Sequence, residues 1–98
     1  MSNVYDDIGE ELLDLLQPGF GGRADPELVR RVARLTAEMQ RLSNDFDYVA
    51  EKAGNVREWV AIACSPARRQ PWGLEKVETF AHQDAQRLRS AQSLFART

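Results

Sequence analysis

The chain has 98 residues and a mass of 11.1 kDa, which is the size of one domain. Hydrophobic residues make up 43% and charged residues 29% of it, a balance typical of a globular protein rather than a disordered one. The formal net charge is −2, which argues against a nucleic-acid-binding domain because such domains usually carry a strong basic footprint.

The first predicted helix lies between Asn3 and the connector "PGFGG" at 18–22. Its apolar residues recur at the spacing of one helix face: Tyr5, Ile8, Leu12, Leu15 and Leu16. The opposite face carries five acidic residues and no basic one: Asp6, Asp7, Glu10, Glu11 and Asp14. Asn3 is suited to cap this helix. Such an acidic face is usually just solvated; the functional alternative is a candidate surface for a basic or nucleic-acid-binding protein partner, or a mimic of nucleic-acid charge.

The second predicted helix begins at Pro26, continues without proline or glycine over residues 27–53, and has the clearest pattern in the chain. Asp25 is suited to cap it and Pro26 to occupy its first position. An unbroken stripe with alternating spacings of four and three follows: Leu28, Val32, Leu35, Met39, Leu42, Phe46, Val49 and Ala53. Gly54 stands where helices commonly end. We therefore expect one long helix, with a kink at "SND" (43–45) as the alternative.

The remaining elements are also helical. A short helix over 55–64 is predicted to begin with a capping box formed by Asn55 and Glu58. Two prolines and a glycine predict a loop over 65–73, and a last helix is expected from Leu74 to about Arg97. The sequence thus predicts a single all-α domain over residues 1–98. In this small helical bundle, a long antiparallel hairpin of the second and last helices is covered by two shorter ones; a homodimer is the other way to bury the long stripe.

The stretch "AEKAGNVREWV" (50–60) has the spacing of a helix-turn-helix, with Ala50, a turn at Gly54 and an apolar anchor at Val60. Two features oppose this interpretation. Asn55 stands where an apolar residue is expected, and Arg57 is the one residue of the second helix suited to contact phosphate or bases. A DNA-binding regulator with this motif at 46–63 is therefore the alternative function, and a turn between bundle helices is favoured.

No catalytic, cofactor-binding or metal-binding pattern emerges from the sequence. His82 is the only histidine and has no nucleophile in register with it. Cys64 is the only cysteine, so the chain has neither an internal disulfide nor a cysteine-based metal site, and a reducing compartment is favoured. With an acidic rather than signal-peptide-like start and no apolar run of about 18 residues, we expect a soluble, cytoplasmic protein.

The loop "ARRQPW" (67–72) contains the most suggestive surface residues, Arg68, Arg69 and Trp72. Arginine and tryptophan are the types most enriched at binding hot spots, although Trp72 could also simply cover the core. We therefore predict a non-enzymatic protein-interaction module without a cofactor, acting as an inhibitor, adaptor or chaperone. Eleven arginines against two lysines suggest a GC-rich genome and hence a bacterial or phage source.

Overall fold

The computed structural model describes residues 3–23 and 25–95, and within these residues all regular secondary structure is helical. The predicted all-α bundle is confirmed. The elements are α1 (Val4–Leu15), a 3₁₀ turn (Phe20–Arg23), α2 (Pro26–Leu42), α3 (Asp47–Ala63), α4 (Pro66–Arg69), α5 (Leu74–Ser90) and α6 (Gln92–Phe95).

The four long helices form a closed ring in which α1 packs on α2, α2 on α3, α3 on α5 and α5 on α1. The pairs are antiparallel. The Tyr5 hydroxyl at the start of α1 donates to the Leu88 carbonyl oxygen near the end of α5, whereas Leu16, just after α1, contacts His82 further back along α5. None of the helices in the described residues combines the length and apolar character that a membrane crossing requires.

The predicted helix starts are confirmed where local caps define them. The Asn3 side-chain oxygen accepts a hydrogen bond of 2.8 Å from the Tyr5 N–H. The Asp25 carboxylate accepts one of 2.8 Å from the Leu28 N–H, and Pro26 occupies the first turn of α2. Each cap satisfies a backbone donor that has no partner within the helix.

The single long helix predicted over 27–53 is wrong, because the chain reverses between α2 and α3. Asn44 and Asp45 adopt left-handed conformations with φ of 53° and 55°. Asparagine and aspartate enter this region more readily than other non-glycine residues. The Asp45 N–H bonds to the Gln40 carbonyl oxygen at 2.8 Å and helps to close the end of α2. The residues expected to permit a kink therefore form a complete turn, and α3 packs against α2.

The helix end predicted at Gly54 and the capping box of Asn55 and Glu58 are also wrong, because all three residues lie inside α3. An interior glycine costs about 1 kcal/mol relative to alanine. Burying one valine contributes about 1.5–3 kcal/mol, and both Val56 and Val60 beyond the glycine are fully buried. Core burial therefore outweighs the weak local preference, and the helix continues to Ala63.

The C-terminal part differs in detail from the prediction. The predicted loop over 65–73 contains the short helix α4, and α5 ends at Ser90 before the single turn of α6. The expected helix end at Arg97 lies outside the described residues.

The predicted antiparallel pairing with the C-terminal helix does form, but its partner is α3. Four alanines of these two helices are fully buried: Ala53, Ala63, Ala81 and Ala85. The larger aromatic residues of α3 and α5, Trp59 and Phe80, are only partly buried. The most extensive helix pair in the fold thus presents aromatic rings on its outer side.

Candidate interaction surface

Three aromatic side chains, Trp59, Trp72 and Phe80, form a cluster that we call the aromatic patch. The ring centroids of Trp59 lie 5.4 Å from Trp72 and 5.0 Å from Phe80, and Trp72 meets Phe80 at 6.3 Å. Trp72 stands edge-on to both other rings, an arrangement that the aromatic quadrupole favours. Its side chain is nevertheless 46% exposed. The patch is therefore ordered by its own contacts and still open to solvent.

Polar contacts fix the two elements that carry the tryptophans. The Trp59 indole N–H donates to the Asp84 carboxylate at 3.2 Å, and Arg87 binds the other oxygen of that carboxylate at 3.1 Å. In the loop, the N–H groups of Trp72 and Gly73 both bond to the Arg69 carbonyl oxygen, at 3.0 and 2.8 Å. Gly73 has a φ of 82°, which side-chain-bearing residues rarely adopt. These bonds hold Trp72 against the other two rings of the patch.

The three loop residues singled out from the sequence have different surroundings. Arg69 donates to the Ala63 carbonyl oxygen at 3.1 Å, so it caps the end of α3. Arg68 is half-exposed and forms an ion pair with Glu58 beside the patch. Trp72 belongs to the patch itself. Two of the three predicted residues therefore lie on one surface, while Arg69 has a structural partner.

A groove of about 470 Å³ runs along the outer side of α3 and α5 from the aromatic patch. Its walls are formed by Lys52, Asn55, Glu58, Trp59, Ile62, Phe80, Gln83, Asp84 and Arg87. Neither Trp59 nor Phe80 was identified from the sequence as a candidate surface residue, because their spacing matches the apolar faces of their helices. The signal that could have found them is their residue type, since large aromatic residues are enriched at protein interfaces.

The predicted acidic surface on α1 is largely engaged within the fold. Arg89 of α5 binds the carboxylates of both Asp6 and Glu10 at 2.9 Å, and the hydrogen bond that it donates to Asp6 raises the pKa of this arginine. Glu11 lies 3.9 Å from Arg31 of α2. The two remaining acids, Asp7 and Asp14, are exposed and have no ion pair among the described residues. Three of the five acids thus help attach α1 to its neighbours.

His82 and Cys64 lie in separate surroundings. The Nδ1 atom of His82 is 3.1 Å from the Leu16 carbonyl oxygen, and because a carbonyl only accepts, Nδ1 carries the proton in this contact. The Cys64 sulfur is 3.8 Å from the Asp25 carbonyl oxygen. Burial, aided by the Asp25 charge, raises the pKa of the thiol. The protonated thiol is the weaker nucleophile, so this environment does not activate the cysteine.

The turn required by the helix-turn-helix interpretation does not exist, because residues 47–63 form one continuous helix. Arg57, the candidate DNA contact, instead donates to the Thr36 hydroxyl at 3.0 Å and to the Gln40 side-chain oxygen at 2.7 Å. Thr36 is fully buried between α2 and α3. Arg57 therefore joins two helices, and the geometry on which the DNA-binding alternative depended is absent.

Within the described residues, no three or more histidine, cysteine, aspartate or glutamate side chains are grouped so that they could hold a metal ion. Compared with models of protein families, with curated proteins and with solved structures, the chain gives no match.

Proposed function

We propose that this chain is a non-enzymatic protein-binding module and that its partner docks on the aromatic patch and the adjoining groove. The observation that carries this proposal is the state of Trp72, which is held edge-on against Trp59 and Phe80 while 46% exposed. A tryptophan already fixed in place loses little conformational freedom when a partner covers it. Burial of its remaining apolar surface then contributes directly to affinity.

The surroundings of the patch support the same function. Binding hot spots are rich in tryptophan and arginine and are bordered by polar groups that exclude water. Here the rings are bordered by Arg68, Glu58 and Gln83, with Arg87 further along the groove. The proposed mode of action is steric: the module occupies a partner's surface as an inhibitor, adaptor or chaperone. We also propose a bacterial or phage source, based on the arginine excess, and a cytoplasmic location, based on the unpaired Cys64.

The test compares Trp72→Ala with Leu94→Ala in affinity capture from a bacterial lysate. Leu94 is an apt control because its side chain is also 46% exposed, but it lies on α6, beside Phe95 at the other end of the bundle. A specific partner should be retained by the wild type and Leu94→Ala and lost with Trp72→Ala. For the purified partner, loss of a hot spot costs at least about 2 kcal/mol, or about 30-fold in Kd.

Equal retention by both variants would contradict docking at the patch. Circular dichroism must first show that both variants have the helical content of the wild type.

The DNA-binding alternative is tested by a mobility-shift assay at low salt, where electrostatic binding to duplex DNA is strongest. We expect no retardation at low micromolar protein, because Arg57 is engaged by Thr36 and Gln40. Retarded DNA that is lost with Arg57→Ala would favour a regulator instead.

A further inference from the structure

We infer that the groove receives an amphipathic helix of the partner, with bulky apolar residues on the aromatic patch and an acidic side chain about two turns away. This inference rests on the proposed function and adds the chemistry of the partner. Two features carry it, the shape of the groove and the distribution of charge along it.

The shape of the groove fits a helix. Its walls are the outer faces of two antiparallel helices, and its α3 residues lie at 52, 55, 58, 59 and 62, the spacing of one helix face. The ten steps from residue 52 to residue 62 span about 15 Å along the helix axis, or nearly three turns. A third helix can pack its ridges into such a groove. A partner segment that binds as an added β-strand would need an open sheet edge for its backbone hydrogen bonds, and a pair of helices offers none.

The charge along the groove is polarised. The end away from the rings is formed by Lys52 and Arg87, whose side chains are 15% and 54% exposed. Asp84, which lies between this end and the rings, is only 9% exposed, and its two oxygens already accept from Trp59 and Arg87. Glu51 lies 3.8 Å from the Lys52 ammonium but does not line the groove. The wall that a partner meets here is therefore cationic.

The two ends also set the spacing expected in the partner. Lys52 and Trp59 are seven residues apart on α3, which corresponds to two helical turns or about 10 Å. A partner helix lying along the groove would place its apolar residues and its carboxylate at the same separation. Opposite charges at this end would contribute mainly to orientation and specificity, while the rings supply most of the affinity.

The first experiment selects partners without assuming a sequence. A phage-displayed library of helical peptides, randomised on one face, is panned against the wild type and counter-selected against Trp72→Ala. We expect the retained peptides to carry large apolar residues with aspartate or glutamate about seven positions away. Peptides with lysine or arginine there, peptides without any charge preference, or the absence of Trp72-dependent peptides would each overturn the inference.

The second experiment removes the cationic end while leaving the rings in place. The double variant Lys52→Gln and Arg87→Gln should weaken the selected acidic peptides about three- to tenfold at low salt, as expected for partly exposed ion pairs. The matched control is the double variant Arg30→Gln and Arg41→Gln on α2, which changes the net charge by the same amount. Like Arg87, both of these arginines are paired with an acid three residues earlier. An equal loss in both double variants would overturn the assigned role of Lys52 and Arg87.

These outcomes separate the inference from the proposed function. If a lysate partner depends on Trp72 but the selected peptides are basic, the function stands and the stated partner chemistry is wrong. Sedimentation of the wild type at about 100 µM tests whether a second copy of this chain occupies the groove. A dimer that is abolished by Trp72→Ala would identify a second copy on the groove and overturn the inference.

Discussion

Replacing Gly54 by alanine should stabilise the protein, because this glycine lies in the interior of α3 and nothing requires it there. A glycine in the middle of a helix costs about 0.5–1 kcal/mol relative to alanine. A Cβ built at Gly54 meets a single neighbouring atom within 4 Å, the Arg57 Nη2 at 3.9 Å, which is an ordinary contact. The full gain in helix propensity should therefore appear in the free energy of unfolding.

The size of the effect is measurable. For a domain of this length, 1 kcal/mol shifts the midpoint of thermal unfolding by about 4–8 °C, so Gly54→Ala should raise Tm by about 2–8 °C. Thermal and urea unfolding followed by circular dichroism at 222 nm would give the shift and the change in free energy. The slope with urea should be unchanged, since the surface exposed on unfolding is the same.

Gly9 provides the matched control, because it is also a glycine inside a helix. A Cβ at this position would lie 2.8 Å from the Arg89 Cγ, 3.1 Å from its Cβ and 3.4 Å from the Met39 Cε. The first two atoms are close to the α5 backbone and cannot move freely. Gly9→Ala should therefore destabilise the protein, since overpacking costs about 1–3 kcal/mol and exceeds the gain in propensity.

The two substitutions together distinguish the possible local structures. If Gly54 ended a helix in a left-handed conformation, alanine would be strained there and stability would fall by about 1–2 kcal/mol. Such a loss would refute the continuous α3 and restore the turn of a helix-turn-helix. A gain in stability with Gly9→Ala would instead refute the close approach of α1 to Arg89.

Three further predictions concern the core, the alkaline limit of stability and the patch loop. Leu35→Ala should lower the free energy of unfolding, measured in urea, by about 2–5 kcal/mol because Leu35 is buried. Leu42→Ala should lower it clearly less, because Leu42 is only half-buried. Equal losses in the two variants would contradict this packing. Burial raises the pKa of Tyr5 above its ordinary value of 10.0, so native protein retains a proton that unfolded protein loses. Stability should consequently fall as pH rises above about 10, and less steeply in Tyr5→Phe, when unfolding is compared at pH 8 and 11; parallel losses would refute this linkage. Gly73→Ala should lower the free energy of unfolding by about 1–2 kcal/mol, because residue 73 has a left-handed backbone. It should also shift tryptophan emission to longer wavelength, as Trp72 becomes more exposed. An unchanged spectrum would contradict the role of this turn.

The errors in the predicted helices have a common physical origin. An apolar stripe reports which residues face the interior, but not whether the backbone between them is continuous. Leu42, Phe46 and Val49 keep the heptad spacing although a complete turn separates α2 from α3, because all three contribute to the same bundle interior. At Gly54 the error is the opposite one: a helix end is predicted, but the helix continues because the buried valines that follow outweigh the weak local preference of glycine.

The candidate interaction surface could be predicted only in part from the sequence, for a related reason. Residue type identified Trp72 and Arg68, but their neighbours depend on which helices pair. Trp59 and Phe80 are 21 residues apart and meet because α3 and α5 pack against each other. The acidic face of α1 has the pattern of a free surface in the sequence, yet its partner Arg89 lies 79 and 83 residues away from Glu10 and Asp6.

The features that the sequence predicted correctly are governed by contacts within one helical turn: the all-α class, the cap at Asn3, and the start of α2 at Asp25 and Pro26. A side chain that bonds to a backbone N–H two or three residues away forms that bond largely independently of the rest of the fold. Packing between helices sets where the long stripe breaks, makes α3 continue through Gly54, and fixes which polar groups remain exposed. Those outcomes depend on burial summed over residues distant in the chain, and that sum exceeds the local preferences of about 1 kcal/mol that a sequence pattern reports.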